Sequence, residues 1–151
     1  MKKIGFIGIG NMGGAILSGY AQSGKTGHNQ LLAFDMNSEL CEKTKEEISQ
    51  LTICESGRQL CEKSDIVVLG VKPQVIESVM KEIAPAYTDE KTVISMAAGV
   101  SMEFVERYLG NDAAVIRIMP NTPAKVGEAM VAICRNGNVD DDVFNLAESL
   151  F

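Results

Sequence analysis

Two rhythms of apolar and polar positions take turns along this chain. Short, nearly unbroken apolar runs at Ile4–Ile7, Leu31–Phe34, Leu51–Cys54, Asp65–Val71, Thr92–Met96, Ala113–Met119 and Ala129–Cys134 fit strands, and the run at 65–71 fits one covered on both faces. Between them, apolar residues return at helical spacing: Ala15, Ile16, Tyr20 and Ala21, then Leu40, Cys41, Thr44 and Ile48, then Val75, Ile76, Val79, Met80 and Ile83, and last Val143, Ala147 and Leu150. A brief helix is expected near Gln59–Glu62 and another from Ser101 to Tyr108. Ser38, Ser101 and Asp140–Asp142 are placed to cap helices, Pro73 to open one, and Pro85 and Gly110 to end them. Strands alternating with helices in this order predict an α/β fold with a doubly wound, mostly parallel sheet and helices on both faces.

The first junction of strand and helix carries the candidate chemistry. Ile4–Ile7 runs into Gly8-Ile9-Gly10-Asn11-Met12-Gly13, a Gly-x-Gly-x-x-Gly turn, and a helical pattern follows at once. Gly8 lets the chain turn sharply, Gly10 lets backbone N–H groups approach a pyrophosphate, and Gly13 lets the helix pack closely on the strand. A helix N-terminus, with its unpaired donors and its dipole, favours the anion. The second strand ends in Asp35, about 20 residues past the last glycine, where an acid that binds a ribose is expected. The glycine spacing alone is weak, but strand, glycines, helix and acid together predict a Rossmann-like dinucleotide site. Ligands of such sheets lie beyond the carboxyl ends of the strands, which selects the loops Gly8–Gly13, Asp35–Ser38, Gly70–Pro73, Ala97–Gly99 and Pro120–Pro123. Lys72 stands in one of these loops, with a solvent-facing role and a contact to an anionic ligand equally open.

Composition narrows the classes. The 151 residues suit one domain, and 14 basic against 20 acidic residues give a net charge of -6, which argues against nucleic acid as partner. No apolar span approaches the roughly 18 residues that cross a bilayer, and the charged, glycine-cut start lacks a signal-peptide cleavage site. The expectation is no membrane and a cytoplasmic location. Cys41, Cys54, Cys61 and Cys134 form no Cys-x-x-Cys, so reduced and mostly buried thiols are expected and no metal site. His28, the single histidine, lies in a turn-rich stretch and is given no role.

Taken together, Gly5–Gly13, Val71-Lys72-Pro73, Ala97-Ala98-Gly99-Val100 and Arg117–Pro123 resemble the N-terminal domain of pyrroline-5-carboxylate reductase, over essentially the whole chain. The resemblance implies reduction of 1-pyrroline-5-carboxylate to L-proline with NADP(H) or NAD(H), the last step of proline biosynthesis. The dinucleotide pattern gives cofactor contacts from Gly8, Gly10, Gly13 and Asp35, and the resemblance adds Ile9, Asn11, Met12, Val71, Lys72, Pro73, Ala97, Ala98 and Asn121, with Ala97, Ala98 and Asn121 nearest the nicotinamide. The family carries a second, helical domain that dimerises and supplies most of the substrate pocket, and its motifs are absent here. The expectation is an isolated cofactor domain spanning 1–151, monomeric or a weak dimer where the full-length family is homo-oligomeric, and inactive alone; its catalytic residues are not assigned. Two alternatives are a β-hydroxyacid-dehydrogenase-type oxidoreductase, which shares the glycine opening but not the Met119–Pro123 turn, and a stand-alone nucleotide-sensing module. Asp35 departs from the small polar residues more usual in the family and points toward NADH, while Asn37 and Ser38 leave NADPH open.

Overall fold

The computed structural model describes residues 1–120 and 131–151. Its elements are β1 Lys3–Ile7, α1 Asn11–Gln22, β2 Gln30–Phe34, α2 Ser38–Glu47, β3 Thr52–Ile53, α3 Gly57–Lys63, β4 Ile66–Leu69, α4 Ile76–Ile83, β5 Thr92–Ser95, α5 Met102–Leu109, β6 Ala114–Pro120, β7 Val131–Arg135 and α6 Asp141–Glu148. The described residues form one seven-stranded sheet in the order β3-β2-β1-β4-β5-β6-β7. All neighbouring pairs are parallel except β6 and β7. The expected doubly wound, mostly parallel sheet is therefore observed.

Alternation of side chains explains why the central strands are apolar throughout. Ile66 and Val68 of β4 enter one core with Ile4, Phe6, Leu17 and Tyr20, whereas Val67 and Leu69 enter the other with Leu60, Met80 and Ile83. The first core lies on the side of α1 and α6, the second on the side of α3, α4 and α5. Chain order runs outward from β1 to β3, then returns to β4 and runs outward the other way. That reversal between β1 and β4 opens a crevice at their carboxyl ends, the position where such sheets take ligands.

Three local expectations are corrected. The cap of α2 is Asn37, not Ser38: Asn37 is extended and its side chain accepts from the Leu40 N–H at 3.2 Å, while Ser38 is already helical. Val75 faces solvent because Pro73–Val75 winds as a 3-10 turn and α4 begins only at Ile76, which rotates Val75 off the buried face. The third strand is limited to Thr52–Ile53, with the Cys54 N–H still donating to the Ala33 carbonyl at 2.8 Å and Leu51 and Cys54 buried beside it. The Ser101 cap holds, accepting from the Phe104 N–H at 3.1 Å, and Gly110 ends that helix.

Candidate coenzyme site

Main-chain contacts shape the turn between β1 and α1. Gly8 has φ +86°, a conformation that L side chains rarely adopt, and its N–H donates to the Phe34 carbonyl at 2.9 Å. A Cβ on Gly13 would collide with the Gly8 carbonyl oxygen, and one on Gly70 would meet the same oxygen and the Gly13 Cα. Gly70 also donates to the Ile7 carbonyl at 2.8 Å. Three glycines thus interlock the start of α1 with the ends of β1 and β4. Gly70 was not singled out by the motif, although a glycine closing the apolar run at 65–71 signals a close backbone approach.

Gly10 differs from its neighbours. It stands at the helix N-cap, exposed, and a Cβ there would meet nothing within 4 Å. Its carbonyl accepts from the Gly14 N–H at 2.8 Å to start α1. The amides of Gly10, Asn11, Met12 and Gly13 have no acceptor among the described residues, as the first turn of a helix requires. The amides of Gly8 and Ile9 are engaged internally, so the donor set available to an anion is narrower than the whole turn from 8 to 13. Ile9 is 2% exposed, its side chain packed in the core.

Asp35 closes the other side of the turn. One carboxylate oxygen accepts from the Ile9 N–H at 2.9 Å, and the other accepts from the Asn37 N–H at 2.9 Å. The acid expected at a ribose therefore also ties the glycine turn to the end of β2. Met36 beside it is 94% exposed, a large apolar side chain with no core to fill. Sequence reasoning passed over Met36, since exposure is invisible without the fold.

The remaining loops reach the same edge of the sheet. Val71 is partly buried, while Lys72 and Pro73 are exposed, and Lys72 has no ionic partner among the described residues. Ala97 is buried and Ala98 exposed, in a turn where Val100 N–H donates to the Ala97 carbonyl at 3.3 Å. The register Ile7–Leu69 and Leu69–Ser95 sets the ends of β1, β4 and β5 side by side. Asn121, and with it the Thr122–Pro123 end of the turn, lies outside the described residues.

Chemistry beyond this edge is sparse. No group of three or more His, Cys, Asp or Glu side chains among the described residues is arranged to hold a metal ion. Cys41, Cys54 and Cys61 are buried and free, and Cys134 is exposed. Burial raises all three buried thiols, Cys61 to about 11, which keeps them protonated at neutral pH. A hollow of about 470 Å³ lined by Lys2, Asp140, Asp141, Asp142, Val143 and Leu146 lies by the amino end of β1, away from the glycine turn. No helix among the described residues is long and apolar enough to cross a membrane.

Residues 3–99 match the family model described as "NADP oxidoreductase coenzyme F420-dependent". The chain is similar to the pyrroline-5-carboxylate reductase of Escherichia coli (strain K12), 36% identical over 149 residues, which cover 96% of this chain and 55% of that protein. Among solved structures it is similar to a pyrroline-5-carboxylate reductase from Coxiella burnetii, with a TM-score of 0.90 and 33% identity, covering 99% of this chain and 55% of that one. It is also similar to the Plasmodium falciparum pyrroline carboxylate reductase solved with NADP bound, with a TM-score of 0.81 and 28% identity, covering 99% of this chain and 54% of that one. The chain thus spans about half the length of the relatives it matches.

Proposed function

The chain belongs to the family of NADP oxidoreductases described as coenzyme F420-dependent, and on that premise we propose that it is the coenzyme-binding half of a pyrroline-5-carboxylate reductase. The observation that carries the reading is the set of unengaged amides at Gly10–Gly13 at the N-terminus of α1, with open space at Gly10. That arrangement fits a coenzyme diphosphate, which needs convergent donors and room for close backbone approach.

The division of labour follows from the residues. The Gly10–Gly13 amides and the α1 dipole hold the diphosphate, while Gly8 and Ile9 fix the turn that presents them. Asp35 accepts hydrogen bonds from a ribose, and Lys72 with Val71 and Pro73 borders the coenzyme on the β4 side. Ala97 and Ala98 border the nicotinamide, where small side chains leave room for a flat ring, and the resemblance alone adds Asn121 to them. When bound, the coenzyme supplies a hydride, here to the ring carbon of the cyclic imine 1-pyrroline-5-carboxylate, giving L-proline.

In this reading the substrate pocket and the dimer contacts belong to a helical domain beyond residues 1–151, the working enzyme is a cytoplasmic homo-oligomer, and the chain alone is a monomer or weak dimer. The β-hydroxyacid-dehydrogenase alternative is not favoured, because relatives at 31–36% identity are pyrroline-5-carboxylate reductases. Titration calorimetry of the folded 151-residue chain is expected to give heat with a nicotinamide coenzyme, and an imine-reduction assay to give little turnover. Silence with both NADH and NADPH overturns the coenzyme reading.

A further inference from the structure

The two nicotinamide coenzymes differ by one phosphate on the adenosine ribose, so the residues at the end of β2 decide between them. We propose that Asp35 makes this site select NADH over NADPH, an inference that rests on the coenzyme reading above. The Asp35 carboxylate cannot swing aside, because its two oxygens are held by the Ile9 and Asn37 amides at 2.9 Å each. Each oxygen keeps capacity for a further hydrogen bond, so the pair can accept ribose hydroxyls. A phosphate in the same place offers acceptors to an acceptor and negative charge to negative charge.

The residues that directly follow Asp35 supply no cation. Met36, Asn37 and Ser38 are uncharged, the Asn37 side chain is engaged in capping α2, and Glu39 adds a second negative charge in the first turn of that helix. Lys45 of α2 is tied to the carbonyls of Ser49 and Leu51 at the other end of the helix. Lys72 follows β4, which is separated from β2 by β1. The segment that follows Asp35 therefore does not offset a 2′-phosphate, and Arg58, which follows β3 beside β2, is paired with Glu62 at 3.2 Å, although the family description and the Plasmodium falciparum relative both name NADP.

Titration calorimetry of the 151-residue chain with each coenzyme tests the proposal. NADH is expected to bind at least about tenfold more tightly than NADPH. Asp35→Asn, which keeps the shape and removes the charge, is expected to shrink the gap to about threefold, mainly by tightening NADPH. Met36→Arg, at a site that touches no core, is expected to tighten NADPH and leave NADH unchanged, and it supplies the check if Asp35→Asn loosens the turn. Equal affinities, or tighter NADPH, in the unaltered chain overturn the selectivity while leaving the coenzyme site in place. No heat with either coenzyme overturns both.

Discussion

The junction of β1 with α1 and the junction of β7 with α6 both lead a strand into a helix, and they are built from opposite materials. At the first, backbone does most of the work: Gly8, Gly13 and Gly70 pack through main-chain atoms, and the Asp35 carboxylate adds a tie through the Ile9 amide. At the second, side chains do it. Asn136 accepts from the Val115 and Asn138 amides at 3.2 Å each, and donates to the Ala113 carbonyl at 2.7 Å and to Glu106 at 2.9 Å. Arg135 pairs with Asp141 at 2.6 Å and lies 4.6 Å over the Phe144 ring. On the coenzyme reading, a backbone that receives an anion is cleared of side chains and braced by its own packing, whereas the turn after β7 is pinned by the Asn136 amide group.

The sharpest way to break this comparison is Gly13→Ala, whose new methyl meets the Gly8 carbonyl. It is expected to lower stability by about 3 kcal/mol in urea unfolding, because neither backbone can yield cheaply. Gly10→Ala in the same motif should change stability by no more than about 0.5 kcal/mol yet weaken coenzyme binding in calorimetry, since its methyl fills the open cradle. If the two glycines behave alike, the assignment of one to packing and the other to ligand approach fails.

Next in size comes Asn136→Ala on the far side. Stranding the Val115 amide, and leaving the Ala113 carbonyl with the Asn138 Nδ2 donor at 3.1 Å, is expected to remove about 2 kcal/mol, with coenzyme affinity unchanged. A fall in affinity would mean that the two junctions are coupled through the sheet. The thiols extend the contrast: Cys41, Cys54 and Cys61 are buried and Cys134 on β7 is exposed. Iodoacetamide at pH 8 should modify Cys134 in the folded chain and reach the others only on unfolding. Because burial raises Cys61 from 9.0 to about 11, the folded state holds its proton where the unfolded state has lost it. Stability should accordingly fall as pH rises from 9 toward 11, and a flat profile in urea titrations would contradict the burial of that thiol. The smallest effect is expected for Gly137→Ala, within about 0.5 kcal/mol, because a Cβ there meets nothing within 4 Å and Gly137 is not among the glycines with positive φ.

Much of this was legible in the chain itself, for identifiable reasons. A strand buried on both faces leaves an unbroken apolar run, so β4 could be read directly, and the sharp turn at Gly8 and the close packing at Gly13 followed from spacing. What escaped depends on partners distant in sequence. The Ile9 amide finds its acceptor in Asp35, so the available donors shrink to Gly10–Gly13 only once the fold joins β1 to β2. The shift of the α2 cap to Asn37 and the outward turn of Val75 are one-residue changes of phase, which periodicity does not resolve. Met36 carries no signal until its surroundings are known to be empty.

The interlock of Gly8, Gly13 and Gly70 has an evolutionary reading. A turn braced by its own main chain is indifferent to exchange of the exposed Met36, whereas position 35 is bound into it through the Ile9 amide. On the coenzyme reading, selectivity can then be retuned at position 36 on a constant mount, whereas a change at position 35 also loosens the mount.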